Sequence, residues 1–158
     1  MTMKKPSSSF AALLLCALSV LSSCSVDFET SGNGALDGFW HLERVDTLAT
    51  GGSADLSSGR LFWAVQAKLV CVRDFGNNDK GCYLRFVQTS DSLTLSTPYI
   101  NNWHENEQET GGDVPVTDKA VLAPYGISGL TDGFCKETLK GGTMVLRSKV
   151  LRLHFKKF

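Results

Sequence analysis

Hydrophobic residues recur at every second position through most of this chain, and that alternation restricts it to half-buried extended strands more firmly than any other feature. In the stretch from Phe39 to Val45, Trp40 and Leu42 share one face while Phe39, His41 and Val45 share the other. Between Arg60 and Phe75, Leu61, Trp63, Val65, Ala67, Leu69 and Cys71 fall on one side. At about 3.3 Å per residue that stretch is too long for one straight strand of a small domain. A bend or bulge near Gln66-Ala67-Lys68 is therefore expected. Leu84 and Phe86 alternate next, and Leu93 and Leu95 continue their face beyond a turn at Thr89 to Ser92. Near the C-terminus, Met144 and Leu146 lead up to Ser148-Lys149, and Leu151, Leu153 and Phe155 lead away. A turn at Ser148-Lys149 sets Leu146 opposite Leu151 and Met144 opposite Leu153, with the apolar side chains on one side. Dense turn chemistry, such as Phe75 to Gly81, separates these runs, so they read as antiparallel hairpins of an all-β fold.

Three stretches depart from the pattern. Thr47 to Gly59 is rich in Gly, Ser and Thr and reads as a loop. Thr97 to Val116 is a longer polar loop around Trp103, with His104, Glu105, Glu107, Glu109 and Asp113. Loops of that length are usually functional or mobile. Asp118 to Ala123 predicts one short helix, capped by Thr117 or Asp118 and stopped by Pro124.

At 158 residues and 42% hydrophobic, the chain suits one globular domain with a short extension. Sixteen basic side chains balance 16 acidic ones, and no Lys/Arg block exceeds Lys156-Lys157. Nucleic acid is thereby excluded as the main partner, because phosphate binding needs concentrated positive surface. The N-terminus has three parts: Lys4 and Lys5, an apolar run from Phe10 to Leu21, then Leu21-Ser22-Ser23-Cys24. This is the layout of an export signal, and the run is shorter than the roughly 20 residues a helix needs to cross a bilayer. Leu21-Ser22-Ser23-Cys24 resembles the lipobox of bacterial lipoproteins. That resemblance implies a signal peptide over 1–23, acylation of Cys24 and attachment to the membrane through the acyl chains. Ser25 in place of Asp implies outer-membrane sorting, with the domain on the periplasmic or the cell-surface side. Residues 24–36 then read as a flexible tether and 37–158 as the folded domain.

Gly38-Phe39-Trp40 near the start of the first strand, followed by successive antiparallel strands and a closing hairpin, is similar to the lipocalin and calycin pattern. The tail from Tyr125-Gly126-Ile127 through Met144-Val145-Leu146-Arg147-Ser148 to Leu153-His154-Phe155-Lys156-Lys157-Phe158 resembles lipocalin-like lipoproteins of Gram-negative gut anaerobes. The resemblance implies an antiparallel lipocalin-like β-barrel of seven or eight strands. It also implies that Gly38 and Trp40 close one end, with Arg147 or Arg152 stacked on the Trp40 ring.

Trp63, Leu69, Leu84, Phe86, Leu93, Leu95, Met144, Leu146, Leu151 and Leu153 are the expected inner face. An eight-stranded barrel either fills its interior with side chains or holds one small ligand. Both readings stay open, and the resemblance favours the ligand-holding one as the expected function. In the first, the barrel is solid and its loops or outer face dock onto an envelope protein. In the second, a small apolar or amphipathic ligand sits against Trp63, Leu84 and Phe86, with Trp103 at the mouth. Cys71 falls opposite Cys82 if Leu69 faces Leu84, so this pair is either a disulfide or two inward-packed thiols. The histidines are too scattered, and the cysteines too irregularly spaced, for a metal motif. No cofactor is expected. With no nucleophile elbow, phosphate loop or His-Glu-x-x-His motif, catalysis is not expected either.

Overall fold

Strand pairing follows chain order almost throughout, as hairpin-linked alternation requires. The computed structural model describes residues 31–102 and 112–158. The described strands are β1 (Gly38–Thr47), β2 (Ser53–Asp55), β3 (Leu61–Gln66), β4 (Leu69–Asp74), β5 (Cys82–Gln88), β6 (Ser92–Ile100), β7 (Val114–Pro115), β8 (Asp132–Lys140), β9 (Thr143–Arg147) and β10 (Leu151–Lys157). Eight of them, β1, β3, β4, β5, β6, β8, β9 and β10, pair antiparallel in that order. Pairing of β10 back onto β1 then closes the sheet into a barrel. The short β2 and β7 extend β1 and β6. The closing seam runs from Trp40 opposite Lys157 to Thr47 opposite Leu151. A bulge between Leu42 and Arg44 bends β1 along this seam.

The expected bend at Gln66-Ala67-Lys68 is a hairpin turn instead. Gln66 pairs with Leu69, and Ala67 adopts φ 52° between them. Because Val65 faces Val70 and Trp63 faces Val72, the inward positions change from odd to even numbers across the turn. Leu69 therefore points outward, 41% exposed, while Val70 and Val72 are buried. The same parity corrects the cysteine reading. Cys71 lies opposite Tyr83, and Cys82 lies opposite Val72. One thiol faces the outside and the other the core, and both are free. The C-terminal hairpin turns one residue later than expected on each strand, with Leu153 opposite Leu146 and Phe155 opposite Met144. A slip of that size preserves the face, so Met144, Leu146, Leu153 and Phe155 all remain in the core. Leu151 is only partly buried against it.

Three further boundaries differ from expectation. The stretch read as a flexible tether is folded at its far end, where Gly34–Leu36 forms a 3-10 turn that buries Leu36. Part of the loop read over Thr97 to Val116 is strand, since β6 continues to Ile100 and β7 begins at Val114. The short helix is a pair of 3-10 turns, Lys119–Val121 and Ala123–Tyr125. Asp118 caps the first by accepting from the Ala120 amide at 2.8 Å, and Pro124 sits inside the second.

Antiparallel order gives the barrel two chemically different ends. One carries the tight turns after β3, β5 and β8 together with the Gly34–Leu36 turn; the other carries the long connections. Among the described residues, the strands of the closed sheet and the core they enclose lie between Leu36 and Phe158, the extent of one domain with its own core.

The free thiols supply a test. Burial, foremost, holds the Cys82 thiol neutral with a pKa pushed up to about 11, while Cys135 is exposed. Because the thiolate is the reactive form, iodoacetamide at pH 8 is expected to label Cys135 first and Cys82 only on unfolding. Recovery of the native domain with Cys71 and Cys82 jointly protected, and released by reductant, would restore the bridge.

Candidate functional site

At the long-loop end the chain between β7 and β8 folds inward and closes the barrel. Val116, Leu122, Tyr125 and Ile127 are all buried in the main core. The inward course needs a tight reversal, which Gly126 provides at φ 80°. A Cβ there would lie 2.7 Å from a Leu153 methyl, so the close approach also demands glycine. The Ile127 amide then donates back to the Leu122 carbonyl at 3.3 Å.

Two side-chain hydrogen bonds latch this plug. The Tyr125 hydroxyl donates to the Asp79 carboxylate in the β4–β5 loop. Asp79 is held in turn, its carbonyl accepting from Arg73 Nε at 2.7 Å and its side chain from the Gly81 amide at 2.9 Å. Burial and then the neighbouring Asp79 carboxylate push the Tyr125 phenol well above its ordinary range, so it remains a donor. From inside the barrel, Trp63 Nε1 donates to the Tyr125 carbonyl at 3.2 Å.

Trp63, expected on a ligand wall, is thus a latch residue in this state. Its exposure is 0%, and that of Leu84 and Phe86 is 1% and 5%. Residues lining an open cavity of ligand size would retain accessible surface. Trp63 instead packs at 5.0 Å from Phe155 and 6.0 Å from Phe134. These three residues thus pack in the core and leave no open, ligand-sized cavity against them. Trp103, the fourth expected ligand residue, lies outside the described residues, as does Cys24.

The opposite end is closed by Trp40, buried, with its indole Nε1 donating to the Leu36 carbonyl at 2.8 Å. The cation above its ring is Lys157, at 5.1 Å, in place of the expected Arg147 or Arg152. Both arginines are instead engaged at 2.7 Å by Glu137 on the outer face. Gly38, at φ 131°, makes room for Lys157, since a Cβ there would meet its Cε at 2.5 Å.

Large concavities occur on the outside of the barrel. One of about 710 Å³ lies over β4, β5 and β6, between Leu69, Tyr83, Arg85 and Tyr99. Another, of about 470 Å³, lies over β1 and β3 and is floored by phenylalanines. Sequence reasoning anticipated neither of these outer concavities, nor the Tyr125–Asp79 latch. The available signal for the groove was the doubled aromatic steps Phe39-Trp40 and Phe62-Trp63, each of which places one ring on either side of the sheet. Among the described residues, no cluster of His, Cys, Asp and Glu could hold a metal ion, and no helix is long and apolar enough to cross a membrane.

The latch makes a stability prediction. Tyr125→Phe removes the donor to Asp79 and is expected to cost about 1.5–3 kcal/mol in urea unfolding, the range for loss of a hydrogen bond to a charged group. Gly126→Ala adds a strained φ and a clash with Leu153, for a cost of about 1–3 kcal/mol. If neither substitution changes the unfolding midpoint, the plug is not a stabilising part of the barrel.

Comparison with known proteins agrees with this architecture. No curated protein matches the sequence. A lipocalin-like protein from Bacteroides uniformis superposes with a TM-score of 0.58 at 17% identity, covering 79% of this chain and 100% of its own. An uncharacterized protein from Bacteroides eggerthii does so with a TM-score of 0.52 at 14% identity, covering 77% of this chain and 98% of its own. At these identities the likeness is one of fold. The family model for the lipocalin-like domain matches residues 19–158. Strand order, barrel closure and this match together make the chain a member of the lipocalin-like domain family.

Proposed function

We propose that this protein is a non-enzymatic envelope lipoprotein, carried on the outer membrane by acyl chains on Cys24, whose filled barrel is a scaffold for recognition on its outer surface. The observation that carries the scaffold reading is the absence of accessible surface at Trp63, together with the near absence at Leu84 and Phe86. A filled barrel has no interior vacancy to offer, so recognition falls to the loops and outer wall, where an envelope protein can dock. The anchor reading is supported by the lipobox sequence ending in Cys24 and by an apolar run too short to span a bilayer. Several acyl methylenes at about 0.8 kcal/mol each suffice for stable attachment when two or three chains are present.

A second reading, capture of a small apolar or amphipathic ligand inside the barrel, is favoured by the plug. The long-loop end is closed by 3-10 turns and two side-chain hydrogen bonds, whereas the walls are closed by continuous strand ladders. Displacing residues 116–127 would expose Trp63 and the apolar interior, as the lipocalin-like fold allows.

One experiment separates the readings. Fatty acids, bile acids and haem are titrated into the domain while tryptophan emission is followed in wild type and in Trp63→Phe. The scaffold reading expects no saturable change that depends on Trp63. A saturable, Trp63-dependent change shared by Tyr125→Phe at higher affinity would establish the plugged-ligand reading instead. For the anchor, Cys24→Ser is expected to abolish acyl labelling and release the protein from membranes. Retained labelling and attachment would place the anchor at another residue.

A further inference from the structure

The outer wall of β1 and β3 departs from ordinary strand chemistry. A sheet face turned toward water normally carries polar side chains, but here Phe39, Phe62 and Phe75 meet outside the barrel and Phe158 joins them. Phe39 stacks on Phe62 at 4.4 Å with the planes 5° apart. Phe75 and Phe158 set their edges against Phe62 at 5.8 and 5.5 Å. The His41 imidazole stacks on the same ring at 4.8 Å. Phe62 is thereby 8% exposed despite facing away from the core, whereas Phe158 is 87% exposed.

Polar groups border this aromatic floor on one side. His41 is fixed, with Nε2 at 3.0 Å from the Gly59 carbonyl and Nδ1 at 3.5 Å from Glu43. The Gly59 position is itself held, its amide donating to the Leu56 carbonyl at 2.8 Å. The next residue, Arg60, is exposed on the rim of the groove, and its backbone is pinned where its carbonyl accepts from the Phe75 amide at 2.9 Å. Among the described residues its guanidinium has no hydrogen-bond or ion-pair partner. Glu43 is engaged with His41.

We propose that this groove is a binding site for a small anionic amphipath with a planar or ring-shaped apolar body. The body lies against Phe39, Phe62, Phe75 and Phe158, and the anionic group meets Arg60. The volume of about 470 Å³ is within the range of small-molecule sites. Aromatic side chains recognise ring faces and edges, and a planar guanidinium matches a carboxylate or sulfonate with two parallel donors. The proposal rests on the reading that recognition occurs on the outer wall.

The test uses the full chain, with anilinonaphthalene sulfonate as an anionic ring probe and N-phenylnaphthylamine as an uncharged one. Saturable binding of the sulfonate is expected to shift the amide resonances of Phe39, His41, Arg60, Phe75 and Phe158. Arg60→Gln is expected to weaken the sulfonate by about tenfold, the loss of one charge-assisted contact, and to leave the uncharged probe unchanged. Phe158→Ala weakens both probes. Both sites are exposed, so circular dichroism and melting are expected to match the wild type. Absence of saturable binding, or indifference to both substitutions, overturns the proposal. Shifts centred on Tyr83 and Tyr99 overturn it while leaving outer-wall recognition intact. Shifts at Trp63, Leu84 and Phe86 overturn both.

Discussion

The pairing of β10 with β1 is the interaction on which the rest of the structure depends. Without it the sheet would be open, with two rows of unpaired amides and carbonyls, and the inner face would have no enclosed volume to fill. With it, the last strand brings Leu153 and Phe155 inside, against Trp63 and the plug, and brings Lys157 over Trp40. The bulge between Leu42 and Arg44 lets β1 serve both neighbours while curving around the barrel. Both end closures use this seam, one through Lys157 and the other through Leu153.

The all-β architecture was legible because it is written in period two, which survives local errors of register. Turn position is written more weakly, and its consequences depend on parity. At the C-terminal hairpin, moving the turn by one residue on both strands left Met144, Leu146 and Leu153 on the core side. At Ala67-Lys68, apolar alternation continued through the turn itself, because Leu61, Trp63, Val65, Ala67, Leu69 and Cys71 all have suitable side chains. Lacking Gly or Asn, that turn had no chemical mark, yet Ala67 occupies a left-handed conformation there. One unrecognised reversal then turned Leu69 and Cys71 outward and removed the expected partnership with Cys82.

The candidate sites were less legible for a related reason. Trp63 is large, apolar and inward, which is equally consistent with a pocket wall and with a filled core. What decides between them is the non-strand segment 116–127, whose burial arises from contacts distant in sequence, such as Tyr125 with Asp79 and Gly126 with Leu153. The outer aromatic wall was hidden by the opposite circumstance. Phe39 and Phe62 adjoin tryptophans that do belong to the core, so each pair reads as one apolar block until the pleat assigns its two rings to different sides. An apolar block on a strand can therefore serve two surfaces at once, holding the fold with one residue and offering a recognition face with the next.

The closing strand has a temporal consequence as well. β10 is the last of these strands to leave the ribosome and the last to follow through any export channel, yet it supplies the partner for the first. Until it arrives, β1 and β9 each present an unpaired edge, and Trp40 lacks the lysine that covers it. Such edges invite pairing between chains, so the interval before closure is when this barrel is most vulnerable to misassembly. Its long sequence separation, from Trp40 to Lys157, makes closure a slow, non-local step. A chaperone that shields β1 during that interval would protect the whole fold by guarding a single strand.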